Sequence, residues 1–295
     1  MKQVFSNKFI DFKQLTIFAL SIIMYLIGGG IAHYFGANIQ QVEFWLGLIW
    51  VLCIHISGFL LITYFSTSKV INQVDLVSDW VDKNKRIFLQ VAFFTLTICG
   101  LVVVLLIIQK SLSTSLGIIL ILTVTGFAGL ILSPFNLAKK GYQEIFFAIY
   151  QGSIIPATGF FILSQVYHKL LLFISFPMTC MALATFLALN FSTFARDQKI
   201  GRRTFLRSLT WQKAIPIHNA LILGVYVFFL TGYLLKFPSG FIWPALLTFP
   251  LACLQIYWLY KISKGGKPTW PFFNALITSV YLLTAYFIAF TFWIS

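Results

Sequence analysis

Stretches of roughly 20 mostly apolar residues, divided by short polar connections, recur nine times along the chain. They run approximately Leu15 to Phe35, Phe44 to Phe65, Ile87 to Ile108, Ser115 to Ser133, Gln143 to Ser164, Lys169 to Phe191, Ala214 to Leu235, Phe241 to Ile262 and Pro271 to Ile294. A helix of this length matches a hydrocarbon core about 30 Å thick and satisfies its own backbone hydrogen bonds, so each stretch is predicted to span a membrane. The first is too long for a signal peptide, and no small-residue cleavage site follows His33-Tyr34-Phe35, so it is expected to stay in the mature protein. The longest connections, Ser66 to Arg86 and Ser192 to Lys213, leave no room for a soluble domain. The pattern predicts an all-α bundle of nine transmembrane helices forming one integral-membrane domain over residues 1–295.

Composition agrees, with 59% hydrophobic residues, 9% charged residues and a mean hydropathy of +0.91. Water-soluble domains carry about a quarter charged residues, which excludes an ordinary soluble enzyme. A net charge of +14 would suggest nucleic acid in a soluble protein, but 18 of the 21 bases fall in alternate connections, so membrane topology accounts for them and no nucleic-acid partner is expected. Only Lys110, Lys169 and Lys236 lie on the other side. The positive-inside rule therefore puts the N-terminus in the cytoplasm, and an odd helix count puts the C-terminus outside. Six of the seven acids, Asp11, Asp75, Asp79, Asp82, Glu144 and Asp197, share the cytoplasmic side, where cations and carboxylates meet. The cysteines, Cys53, Cys99, Cys180 and Cys253, sit inside apolar runs without a C-x-x-C spacing and read as small core hydrophobes.

No Asp, Glu, Lys or Arg falls in the middle of a predicted helix, which argues against a pump or ion-coupled transporter. What remains is a cationic rim above an apolar bundle. Such a mouth suits an amphiphile with an anionic head and a long tail, and it equally suits plain contact with anionic lipid heads. His55 and His218 lie within helices, where an imidazole either bonds to a neighbouring helix or ligates a haem or chlorophyll metal.

Two connections carry more information. In Ser133-Pro134-Phe-Asn-Leu-Ala-Lys139-Lys140-Gly141-Tyr-Gln-Glu144 a proline ends one helix, paired lysines occupy a short turn, and Glu144 enters the first turn of the next helix. In Asn190-Phe-Ser-Thr193-Phe-Ala-Arg196-Asp197-Gln-Lys199-Ile-Gly201-Arg202-Arg203-Thr204, a continuing helix would put Asn190 and Asp197 on one face, two turns apart. Gly201 is placed to stop that helix ahead of the arginine pair.

At these residues the chain resembles the UbiA superfamily of intramembrane prenyltransferases, nearly end to end. Members of its menaquinone and chlorophyll branch read like Pro-Pro-x-Arg-Leu-Lys-x-x-Gly-x-x-Glu after the fourth helix, to which Pro134 through Glu144 is similar. After the sixth helix they read like Asn-x-x-Asp-x-x-x-Asp-x-x-x-Gly-Lys-Arg-Thr, which Asn190 through Thr204 resembles in spacing.

The resemblance implies a multi-pass protein of a bacterial cytoplasmic membrane that passes an isoprenyl group from a magnesium-bridged isoprenyl diphosphate to a lipophilic acceptor, a quinone precursor or a tetrapyrrole. On this pattern Asn190 and Asp197 serve catalysis, while Lys139, Lys140, Lys199, Arg202 and Arg203 hold the diphosphate. The sequence departs from the family where carboxylates matter. The first motif, Asn-Asp-x-x-Asp, aligns with Ile62-Thr63-Tyr64-Phe65-Ser66, which has none, and Thr193 stands where the second motif has its first Asp. Asp197 remains as a metal ligand, with Asp75 and Asp79, one helical turn apart in the same loop, as substitutes or as a solvated loop face. The alternative these departures leave open is a catalytically inactive UbiA-fold protein that binds an isoprenoid, quinone or pigment, or serves as a subunit of a larger membrane complex.

Overall fold

The computed structural model describes residues 12–38, 41–70, 84–132, 134–199, 201–235, 237 and 239–294, and all regular structure among them is helical. Four long helices come first: α1 (Phe12–Tyr34), α2 (Gln41–Val70), α3 (Lys85–Ile108) and α4 (Thr114–Ile131). The next rod is built in three parts, α5 (Gln143–Ile149), a π-helical turn (Tyr150–Ile154) and α6 (Ile155–Phe161). Then follow α7 (Lys169–Leu189), α8 (Trp211–Leu234), α9 (Ser239–Leu246), α10 (Phe249–Ser263) and α11 (Trp270–Ile294). Eight helical stretches are long and apolar enough to cross a membrane, α9 and α10 together counting as one, and the rod over 143–161 accompanies them. The protein is a multi-pass integral membrane protein.

Burial divides the helices into an inner and an outer set. The apolar windows of α7, α11 and α1 are 72%, 61% and 56% buried, against 28% for α3 and α4. Accordingly α1 packs on α2, α6 and α11, while α7 packs on α5, the π-turn, α8 and α11. Large apolar side chains are left outward, among them Phe94, Ile108, Ile121 and Leu234, as suits helices that face a bilayer. Cys253 belongs to this outward set, contrary to its reading as a core residue, whereas Cys99 is buried.

Inner helices approach closely because small residues face each other. Gly28 of α1 lies against the carbonyl of Pro156, and Gly159 of α6 lies against the carbonyl of Tyr25. Any side chain at either glycine would force the two backbones apart. Polar anchors fix the register: Tyr25 Oη donates to the Phe44 carbonyl at 2.7 Å, and Trp293 Nε1 donates to the Leu26 carbonyl at 2.9 Å.

The π-turn, which the hydrophobic pattern did not predict, has a local cause. Pro156 has no N–H for the carbonyl four residues back, which is that of Gly152, and its ring crowds that carbonyl. Widening the turn over Tyr150–Ile154 relieves the crowding. Gly152 in turn rests directly on the backbone of Thr179 in α7, and Ser153 and Thr179 share a hydroxyl hydrogen bond of 2.7 Å.

Both intramembrane histidines are hydrogen-bonded across helices. His55 Nδ1 lies 2.8 Å from Ser21 Oγ, and His218 Nε2 lies 2.8 Å from Gln255 Nε2.

Candidate functional site at the loop end of the bundle

The two connections singled out by the sequence meet at one end of the bundle. The long connection after α7 is not an open loop. Its chain tightens into a 3-10 turn at Asn190–Thr193, continues as a helix over Phe194–Lys199, and forms a third short helix at Phe205–Leu209. Gly201 breaks the second of these in the left-handed region, at φ +71°, as its position predicted. Thr204 caps the third, accepting the Arg207 N–H at 3.3 Å.

The other connection folds as a one-turn helix, Leu137–Lys140, ended by Gly141 at φ +87°. A Cβ at Gly141 would stand 3.2 Å from the backbone of Thr204, so a side chain there would push these two turns apart by a few tenths of an ångström, besides being strained at this φ. That contact sets the Lys139-Lys140 turn beside the Arg202-Arg203-Thr204 segment. All five predicted diphosphate-binding cations, Lys139, Lys140, Lys199, Arg202 and Arg203, are exposed there. Lys140 Nζ reaches the Pro134 carbonyl at 3.3 Å.

Beneath the cations lie two carboxylates. Asp197 is 2% exposed; its Oδ2 accepts the Thr193 hydroxyl at 2.8 Å, and its Oδ1 stands 4.0 Å from Arg202 Nη1. Arg207 braces the same segment, donating from Nη1 to the Arg202 carbonyl at 2.7 Å and to the Asp197 carbonyl at 3.3 Å. Glu144 is 5% exposed; its Oε1 accepts from Asn190 Nδ2 at 2.7 Å, and its Oε2 accepts from the Phe205 N–H at 3.3 Å. One carboxylate thus ties the start of α5, the end of α7 and the third short helix together.

The single-face arrangement predicted for Asn190 and Asp197 does not form as a continuous helix. The 3-10 turn intervenes, and the two side chains take different partners, Glu144 for Asn190 and Thr193 for Asp197. Three contributors went unselected in the sequence. Glu144 stood in the quoted motif but was read only as a helix-start residue, Arg207 was counted only as a base, and Thr193 was read only as a lost Asp. Asp75 and Asp79 lie outside the described residues.

Magnesium takes oxygen ligands and usually one or two carboxylates beside phosphate and water. Among the described residues no group of three or more His, Cys, Asp or Glu gathers in one place. Asp197 is a single carboxylate with one oxygen bonded to Thr193 and the other turned to a guanidinium, and both Glu144 oxygens are taken. These residues alone do not fit the ion. What they build is a rim of five exposed cations over two buried, hydrogen-bonded carboxylates.

Neither a protein-family model nor a curated protein matches the sequence. Among solved structures, the fold is similar to the apo structure of a UbiA homolog from Aeropyrum pernix K1, with a TM-score of 0.66 at 13% identity, over 93% of this chain and 97% of that one. The likeness covers nearly all of both chains, so the bundle has the UbiA fold.

Proposed function

We propose that the chain is a UbiA-like membrane prenyltransferase whose loop-end mouth, on the cytoplasmic face of a bacterial membrane, receives an isoprenyl diphosphate. What supports this reading is the Gly141–Thr204 contact in a UbiA-fold bundle, which joins the turn of Lys139 and Lys140 to the segment of Arg202 and Arg203, all exposed, as is Lys199 just before that segment. Guanidinium and ammonium groups hold the diphosphate oxygens, Arg being suited to bidentate contact. The hydrocarbon tail lies among apolar helices, where burial stabilises it by about 0.8 kcal/mol per methylene. In the transfer, the bond from the allylic carbon to the diphosphate oxygen breaks, and the diphosphate leaves into the cationic rim. The new bond forms to a lipophilic acceptor of quinone-precursor or tetrapyrrole type, which gives up a proton.

A second reading is favoured by one specific feature. Asp197 and Glu144 are already satisfied by Thr193, Arg202, Asn190 and the Phe205 N–H, as expected of a UbiA-fold protein that binds an isoprenoid, quinone or pigment, or joins a membrane complex, without catalysis. Equilibrium binding of a long-chain isoprenyl diphosphate to the detergent-purified protein separates the two. The transferase reading expects binding that requires magnesium and is abolished by Asp197→Asn. Binding that ignores both assigns the protein to the second reading, and no binding by a folded sample overturns the diphosphate site altogether.

A further inference from the structure

The end of the bundle opposite the mouth holds a base that membrane topology does not call for. Lys110 follows α3 there, at the end where only three of the 21 bases fall. Its backbone is also strained. Lys110 lies in the left-handed region at φ +56°. Two hydrogen bonds close the turn around it, from the Lys110 N–H to the Ile107 carbonyl and from the Ser111 N–H to the Leu106 carbonyl, both at 3.0 Å. That pair of bonds makes a helix stop whose left-handed residue is usually glycine, because a Cβ there crowds the carbonyl that follows. Among the described residues the chain ends four other helical segments on a left-handed residue, at positions 36, 141, 201 and 265, and each is glycine. A lysine in the last right-handed turn would serve the helix dipole equally well, so the dipole does not account for a lysine in the strained place.

What the strained place does is set Lys110 in a polar pocket of about 160 Å³. Asn38 after α1, Gln109 and Ser111 beside the lysine, and Ile162, Leu163 and Gln165 after α6 line the rest. Among the described residues no carboxylate lines it. Ser111 donates its hydroxyl proton to the Leu106 carbonyl at 3.2 Å, which leaves the ammonium and three carboxamides as side-chain donors. A point cation among neutral donors, with no acid to balance it, suits a phosphate group. Apolar side chains border the pocket in the chain: Ile107 and Ile108 precede Gln109, Val166 follows Gln165, and all three are exposed. A ligand that fits both parts has a phosphate head and an apolar tail.

We propose that this pocket holds the phosphate group of a phospholipid head at the membrane face opposite the mouth, with Lys110 as its charged anchor and Asn38, Gln109 and Gln165 donating to the other oxygens. Free inorganic phosphate offers the same head without the tail. The site stands apart from the diphosphate-receiving mouth and does not rest on the transferase reading.

The test is equilibrium binding to the full chain in non-ionic detergent of dioctanoyl phosphatidylglycerol, of dioctanoylglycerol, which lacks the phosphate, and of inorganic phosphate. Wild type, Lys110→Gly and Lys110→Gln are compared. Wild type is expected to bind the phospholipid more tightly than either of the other two. Both substitutions are expected to raise the phospholipid Kd about tenfold or more, the span of a hydrogen bond to a charged group. Lys110→Gly carries a second readout: with the backbone strain relieved, the thermal midpoint of the lipid-free protein is expected to rise by about 2–4 °C while the affinity falls. Lys110→Gln keeps a polar side chain and the strain, so it reads the charge alone. Phospholipid binding that persists unchanged in both variants belongs to the cationic mouth and overturns the pocket, as does equal affinity for the phosphate-free lipid. Inorganic phosphate binding as tight as the phospholipid's, and lost with Lys110, overturns the lipid as the source of the phosphate.

Discussion

Removal of the Glu144 carboxylate should loosen the whole loop end of the bundle. Glu144→Ala deletes the 2.7 Å bond from Asn190 and the 3.3 Å bond from the Phe205 N–H. A hydrogen bond to a charged group contributes about 1.5–3 kcal/mol net, the long backbone bond contributes less, and both donors are only part-buried, so water can replace some of the loss. The expected cost is therefore about 2–3 kcal/mol. At about 2–4 °C per kcal/mol for a chain of this size, the thermal midpoint in detergent should fall by about 4–12 °C. The sharper assay is a double-mutant cycle with Asn190→Ala. Each single change removes the shared bond, so the double variant should be less destabilised than the sum by about 1–2 kcal/mol. Additivity within about 0.3 kcal/mol would refute the claim that Glu144 and Asn190 join α5 to α7.

Asp197→Asn should leave stability within about 1 kcal/mol of wild type, because an amide oxygen still accepts the Thr193 hydroxyl; its effect belongs in diphosphate binding, read from the same preparation. Neutralising Arg202 and Arg203 together with glutamine should weaken isoprenyl diphosphate binding and flatten its salt dependence, measured as Kd against ionic strength, while leaving the thermal midpoint almost unchanged since both side chains are exposed. Gly152→Ala should lower the thermal midpoint by an overpacking cost of about 1–3 kcal/mol, because its methyl would meet the Thr179 backbone; a midpoint equal to wild type would show that the π-turn is not held against α7.

Sequence reading reached far into this architecture because a bilayer admits few solutions. With 59% hydrophobic residues and polar breaks at regular intervals, the chain can satisfy its backbone only as spanning helices, and the long helices fall where the apolar runs fall. The cations of the rim were legible too, since charge excluded from the hydrocarbon collects in connections. Gly201 was readable as a stop because a left-handed residue after a helix favours glycine.

Partnership was not legible. Glu144 and Asn190 are 46 residues apart, and nothing in their local sequence says that one hydrogen-bonds the other. The same holds for Ser21 and Gln151, 130 residues apart, each unremarkable in its own helix until α1 and the π-turn pack together. Periodicity reports which residues a helix sends inward, and it is blind to which helix they meet. Solvent and backbone chemistry thus made this chain a helical membrane protein with a cationic end from its sequence alone. Close packing through Gly28, Gly141, Gly152 and Gly159 decided which polar groups were brought within hydrogen-bond reach, and that distance falls off too steeply to be set by anything but the tertiary contacts themselves.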